Sequence, residues 1–186
     1  MKYTLTILSL IISACTFAQT GELKISAGVA ANTALMPGMP NTPAACFGVQ
    51  YMQNDHRFQY GVSVFAYQML TRGQKTIKLA NPAVPIAFVL NYKLIDKSTD
   101  VLYAGINFGA GVVFVNNTSY EDVSGESPYI DFAGIQIGYT KYISKSVGIN
   151  IEYIGRESQI NYTTKTNDYN YGFFQNLGTV GLIFKM

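Results

Sequence analysis

Leu102-Tyr103-Ala104-Gly105-Ile106-Asn107-Phe108-Gly109-Ala110-Gly111-Val112-Val113-Phe114 carries the clearest two-residue alternation in the chain. Successive side chains of an extended chain point to opposite sides. Leu102, Ala104, Ile106, Phe108, Ala110, Val112 and Phe114 therefore share one face, while Tyr103, Gly105, Asn107, Gly109 and Gly111 share the other. A soluble sheet turns its apolar face inward and usually covers the outer one with Lys, Glu and Thr. Here the second face is mostly Gly and Asn, the composition of a narrow barrel interior whose apolar face is turned to lipid.

The same sidedness recurs on both sides of this stretch. Ala133, Ile135, Ile137 and Tyr139 oppose Gly134, Gln136 and Gly138, and Val147, Ile149, Ile151 and Tyr153 oppose Gly148, Asn150 and Glu152. Upstream, Phe47, Val49 and Tyr51 oppose Gly48 and Gln50, and Tyr60, Val62, Val64 and Ala66 oppose Gly61 and Ser63. Ile86, Phe88, Leu90 and Tyr92 oppose Ala87, Asn91 and Lys93, with Val89 an apolar exception, and the first strand, roughly Leu23 to Leu35, is the least regular. No internal stretch keeps helical spacing for three turns.

Connections alternate in length. Asn54 to Arg57, Asp96 to Asp100 and Ser144 to Ser146 are short and polar, whereas Met36 to Ala44, Arg72 to Pro82, Asn116 to Ser127 and Arg156 to Asn170 are long. Tight periplasmic turns alternating with larger outer loops are the pattern of an up-and-down membrane barrel. The expected fold is all-β: an eight-stranded antiparallel up-and-down transmembrane β-barrel, preceded by a signal peptide, with strands of about ten residues.

Residues 1–18 have the layout of that signal peptide: Lys2, the apolar run Tyr3 to Ile12, then small residues to Phe17-Ala18. Cleavage after Ala18 leaves residues 19–186 as one barrel domain; Ile12-Ser13-Ala14-Cys15 also resembles a lipoprotein box in which Cys15 would be acylated. Removing the leader takes away one cation and no acid from a net charge of +2, which excludes the basic footprint of a nucleic-acid binder. Only 13% of residues are charged while 48% are hydrophobic, a composition poorly suited to a water-exposed surface. Cys46 alone remains, so no internal disulfide is expected.

Val180, Leu182, Phe184 and Met186 alternate with Thr179, Gly181, Ile183 and Lys185 to the end of the sequence. This strand resembles the C-terminal signal read by the outer-membrane assembly machinery, although that signal usually ends on Phe. Pro85-Ile86-Ala87-Phe88-Val89-Leu90-Asn91-Tyr92-Lys93 resembles a strand of the small Bacteroidetes outer-membrane β-barrel families, of the OmpA-like or PorT-like kind. The resemblance implies residence in a Gram-negative outer membrane, contact with outer-membrane lipid and handling by the assembly machinery; an accessory role would place the chain beside a larger outer-membrane complex. It carries no functional residue across.

Candidate chemistry is sparse. Gly109-Ala110-Gly111 begins like a dinucleotide fingerprint, but Phe114 stands at the third glycine position and no helix follows. A lipid A-modifying barrel enzyme needs a histidine beside a hydroxyl or carboxylate at the outer leaflet. The one histidine, His56, falls in a short periplasmic turn. One His and one mature Cys cannot build a metal shell, and Glu121, Asp122 and Glu126 fit no calcium-loop spacing. No catalytic residue, cofactor or metal is therefore expected.

Charges enclosed in a narrow barrel must find partners. Glu152 falls on an inner face near mid-height and Lys93 and Lys185 nearer the periplasmic rim, so the expected lumen network comprises Glu152, Asn150, Gln136, Asn107 and Lys93. Tyr92, Tyr139, Tyr142 and Tyr153 are expected to anchor the headgroup zone. Tyr162, Tyr169 and Tyr171, among Asn161, Asn167 and Asn170, form a candidate partner-binding loop. The leading reading is a non-enzymatic outer-membrane barrel with a narrow polar lumen, in a structural, adhesive or accessory role. The rival is a secreted lipocalin-like barrel holding a small apolar ligand, which requires Ile106, Phe108 and Val112 to point inward.

Overall fold

A computed structural model of the chain describes residues 21–34, 43–72, 78–114, 129–163 and 168–186, with side chains left undescribed at 32–34, 68–72, 78–82, 160–163 and 168–171. The expected signal peptide, Cys15 and the acidic residues Glu121, Asp122 and Glu126 lie outside the described residues.

Eight strands follow one another: β1 (Gly21–Ala34), β2 (Pro43–Asp55), β3 (Phe58–Arg72), β4 (Lys78–Asp96), β5 (Asp100–Val113), β6 (Tyr129–Tyr142), β7 (Val147–Thr163) and β8 (Asp168–Lys185). Each pairs antiparallel with its sequence neighbours, and β1 pairs with β8 from Glu22↔Lys185 to Ala34↔Phe173, closing the barrel. Closure leaves no sheet edge, which lets a β-structure satisfy its backbone in lipid. The turns after β2, β4 and β6 lie at one end with Gly21 and Lys185; we call it the short-turn end and the opposite one the loop end.

The first tight turn is built around His56, whose φ of 50° is the left-handed conformation that histidine adopts more readily than most side chains. A bulge between Lys93 and Ile95 absorbs a register shift at the foot of β4. Higher on that strand the β3–β4 ladder skips from Val64↔Ile86 to Tyr67↔Ala83. Pro85, which has no N–H to donate, lies in the gap.

Side-chain direction separates the membrane barrel from its soluble rival. Ile106, Phe108, Ile135 and Ile151 are 48%, 49%, 66% and 58% exposed on the outer wall, whereas Asn107, Gln136 and Asn150 inside are 3%, 3% and 0% exposed. Val112 also points out. A belt of large exposed apolar residues around a closed barrel would be insoluble in water and suits hydrocarbon. The lipocalin-like alternative falls on this sidedness.

Two expected long loops are corrected by the ladder. The segment Arg72 to Pro82 belongs largely to a hairpin that stays paired to Arg72↔Lys78. In Arg156 to Asn170 the pairing of β7 with β8 continues to Thr163↔Asp168. Strands of 13 to 19 residues are longer than the ~9–11 needed to cross a bilayer. Beyond the hydrocarbon both faces of a strand are free to be polar, so a paired hairpin there reads as a loop.

Candidate functional site

The interior at the short-turn end is organised around Glu152, which is 2% exposed and receives three hydrogen bonds. Lys24 Nζ lies 2.6 Å from its Oε2, and Tyr103 donates its hydroxyl to Oε1 at 2.7 Å. Gln136 Nε2 donates to Oε1 at 3.4 Å and to Asn91 Oδ1 at 2.8 Å, while Asn107 Nδ2 donates to Gln136 Oε1 at 3.3 Å. Asn150 Nδ2 donates to the Tyr103 oxygen at 3.1 Å and to Thr140 Oγ1 at 2.9 Å. A buried carboxylate is tolerated when an opposite charge and further donors surround it in this way.

Register explains how Tyr103 reaches Glu152. Tyr103 on β5 lies opposite Gly138 on β6, which lies opposite Glu152 on β7. The phenol crosses Gly138, where an added Cβ would stand 2.3 Å from Tyr103 Cζ and Oη. That close approach requires glycine at position 138.

Nearer the rim, Glu22 accepts from Tyr142 Oη at 2.6 Å and from Gln59 Nε2 at 3.0 Å. Lys185 Nζ stands 3.6 Å from the centre of the Tyr142 ring, a cation–π contact at the mouth. Between the two carboxylates a cavity of about 10 Å³, lined by Glu22, Lys24, Gln50, Gln59, Asn91 and Tyr103 among others, has room for about one water.

Toward the loop end the interior becomes apolar: Ala30, Cys46, Phe65, Tyr67, Ala83, Val113, Ile130, Ile154, Phe173 and Leu177 pack into one buried cluster. Arg156, 1% exposed, crosses this region with Nε donating to Gln175 Oε1 at 2.6 Å. Its guanidinium carbon lies 4.2 Å from the Phe132 ring centre and 5.6 Å from that of Tyr67. The expected polar lumen is thus concentrated in the short-turn half, while toward the loop end a buried apolar cluster surrounds Arg156, Ser158 and Gln175.

Of the five expected network residues, the structure brings Glu152, Asn150, Gln136 and Asn107 together. Lys93 also turns inward but lies at the rim, 3.5 Å from Asp96 Oδ2, three residues along the bulged end of its own strand. Lys24, Glu22, Tyr103, Asn91, Thr140 and Arg156 also lie in the interior, and none of them was among the residues expected in the network. For Lys24 and Glu22 a signal existed, since Leu23, Ile25, Ala27 and Val29 alternate with Glu22, Lys24, Ser26 and Gly28. Arg156 shares parity with Glu152 and Ile154.

Among the expected interface anchors, Tyr92, Tyr139 and Tyr153 point outward. Tyr92 packs edge-on against Phe58, and Arg57 Nη1 donates to its hydroxyl at 3.2 Å. Tyr142 is a correction. It is 5% exposed and faces inward, because it lies an odd number of residues beyond Tyr139. His56 lies at the short-turn end, 94% exposed, with Nδ1 2.7 Å from Asp55 Oδ1. The backbone of Tyr162, Tyr169 and Tyr171 is strand, with Tyr162 opposite Tyr169 and Ile160 opposite Tyr171; their side chains lie outside the described residues.

A closed eight-stranded meander with an apolar outer wall and a packed interior defines an outer-membrane-type β-barrel. No protein-family model and no curated protein matches the sequence. Solved structures match in fold. Neisserial surface protein A superposes with a TM-score of 0.64 at 13% identity, over 89% of this chain and 97% of that one. Ail, the attachment invasion locus protein of Yersinia pestis, gives 0.56 at 9% identity over 91% and 99%. Outer membrane protein AlkL, solved in lipid bilayers, gives 0.55 at 13% identity over 91% and 90%. These likenesses are likenesses of fold.

Proposed function

We propose that this chain is a non-enzymatic barrel of a Gram-negative outer membrane, of the small Bacteroidetes families of OmpA-like or PorT-like kind, acting as an adhesive or accessory subunit through its outer hairpins. The observation that carries this reading is the filled interior. Ion-paired polar groups occupy one half of it, an apolar cluster packs the other, and the cavity between Glu22, Lys24 and Tyr103 holds no more than about one water. A barrel packed in this way offers its wall and its ends to other molecules. Its sole histidine stands at the short-turn end, away from the outer-leaflet position that a lipid A-modifying enzyme would use.

At the loop end, β7 and β8 stay paired to Thr163↔Asp168, while the described pairing of β8 with β1 ends at Phe173. The β7–β8 hairpin thus rises past its β1 neighbour and carries Tyr162, Tyr169 and Tyr171. Tyrosine supplies large contact area at low rotamer cost. The same fold builds the attachment invasion locus protein of Yersinia pestis, but fold alone assigns no role. Partners on this reading are outer-membrane lipid, the assembly machinery during biogenesis and a neighbouring outer-membrane complex.

The test is co-purification from gently solubilised membranes together with adhesion of cells displaying the chain. Replacing Tyr162, Tyr169 and Tyr171 by Ser should leave the heat-modifiable barrel intact and weaken partner binding about tenfold. Full binding by the triple variant would place recognition elsewhere, and loss of the barrel would make the hairpin structural.

A further inference from the structure

On the outer wall of β5 to β8, two tyrosines lean in opposite directions. The Tyr139 hydroxyl is tied to Asp100, toward the short-turn end, while the Tyr153 hydroxyl is tied to Asn176, toward the loop end. Between them Tyr153 lies opposite Gly178, whose missing side chain leaves open space: an added Cβ would meet nothing within 4 Å. Diverging rings over a bare glycine create an apolar concavity of about 570 Å³, edged by Ile137, Ile151 and Val180. It is a shallow depression open to the surrounding lipid, not an enclosed cleft.

The concavity has a polar foot. Lys141, two residues along β6 from Tyr139 and thus roughly 7 Å away, contacts both oxygens of Asp100 at 2.8 and 3.1 Å. An ammonium has three donors, so one remains for another acceptor. Lys97 and Lys145 are exposed in the two flanking turns, and Asp96 is engaged by Lys93. The rim beneath this apolar slot therefore carries three lysines against Asp100. Hydrocarbon above and cationic donors at headgroup depth match one ligand class, an acyl chain ending in a phosphate diester.

We propose that the Gly178 groove is a specific phospholipid site, holding one acyl chain of the leaflet on the short-turn side with its phosphate at Lys141. The site rests on the lipid-facing wall alone and stands independently of any adhesive role for the outer hairpins.

The full chain is refolded in bicelles of phosphatidylethanolamine and phosphatidylglycerol, transferred to detergent, and weighed by native mass spectrometry. One phospholipid should stay bound per chain. Gly178→Leu, which grows a side chain into the open groove, should reduce retention about tenfold while preserving heat-modifiable mobility. Lys141→Gln should reduce it several-fold, and Val62→Leu on the outer face of β3 should leave it unchanged. If Gly178→Leu fails to insert, Val180→Phe fills the groove from its edge and carries the same expectation. The proposal is overturned if the wild type retains no lipid, if filling the groove leaves retention unchanged, or if Val62→Leu lowers it equally. It is also overturned if the wild type is a dimer that Gly178→Leu dissociates, since the groove would then hold a second copy.

Discussion

At the short-turn end of the barrel Lys24 and Glu152 meet among Tyr103, Gln136 and Asn150, whereas toward the loop end Phe65, Ile130, Phe173 and Leu177 close around the guanidinium of Arg156. Both regions are closely filled, but by different means. The first depends on direction, because each donor must meet a named acceptor and Gly138 must stay bare for Tyr103 to cross it. The second depends on volume, because apolar side chains need only fill the space between strands at close-packed density. Damage to the two regions should therefore differ in kind, and substitutions on each side test that difference.

The largest effect is expected in the polar half. Glu152→Leu leaves Lys24 buried without its counter-charge, so it should cost about 3–5 kcal/mol in urea unfolding from bilayers. Adding Lys24→Met should return most of that loss, because a well-packed apolar pair is often as stable as a buried ion pair. A double variant as unstable as the single one would show that the cost lies in packing and would erase the contrast between the halves.

In the apolar half Leu177→Ala should cost about 2–4 kcal/mol through the cavity it opens. No second substitution at a hydrogen-bond partner should rescue it, while a larger apolar neighbour such as Ala30→Val should recover part. Rescue confined to polar substitutions would mean that this half, too, is held by directed contacts.

Arg156 shares features of both halves, since it is a buried charge set against the Phe132 and Tyr67 rings. Arg156→Met keeps much of the length, removes a buried charge and leaves Gln175 without one donor. We expect a net loss of only about 1–2 kcal/mol, close to the worth of one hydrogen bond plus a cation–π contact. A loss as large as that of Glu152→Leu would make Arg156 the centre of a second polar network.

The polar half and the outer wall were the legible parts of the sequence. Lipid demands an apolar side chain at every second position, so Ile106, Ile135 and Ile151 alternate visibly with Asn107, Gln136 and Asn150. On the loop-end half of β3 both faces are apolar, with Val64 and Ala66 outside and Phe65 and Tyr67 inside, and alternation carries no sign of direction. Arg156 was hidden differently: its outward neighbours Glu157 and Gln159 are polar, as in a loop, while β7 in fact continues past them. Lys24 lies 128 residues from Glu152, and only closure of β1 onto β8 brings their strands near one another.

The defining feature of this chain is a sealed barrel with lipid outside and packed side chains within. Site-directed spin labelling measures that in one experiment: single cysteines in a Cys15→Ala, Cys46→Ala background, placed at Phe108, Ile135 and Ile151 and at Asn107, Gln136 and Asn150. Labels at the first three positions should relax strongly with oxygen dissolved in lipid and weakly with a water-soluble nickel chelate. Cysteines at the inner three should label slowly and relax little with either agent. Strong relaxation of the inner three by the nickel chelate would reveal a water-filled channel, and inner labels relaxed by oxygen as strongly as outer ones would contradict the sidedness on which the barrel is built.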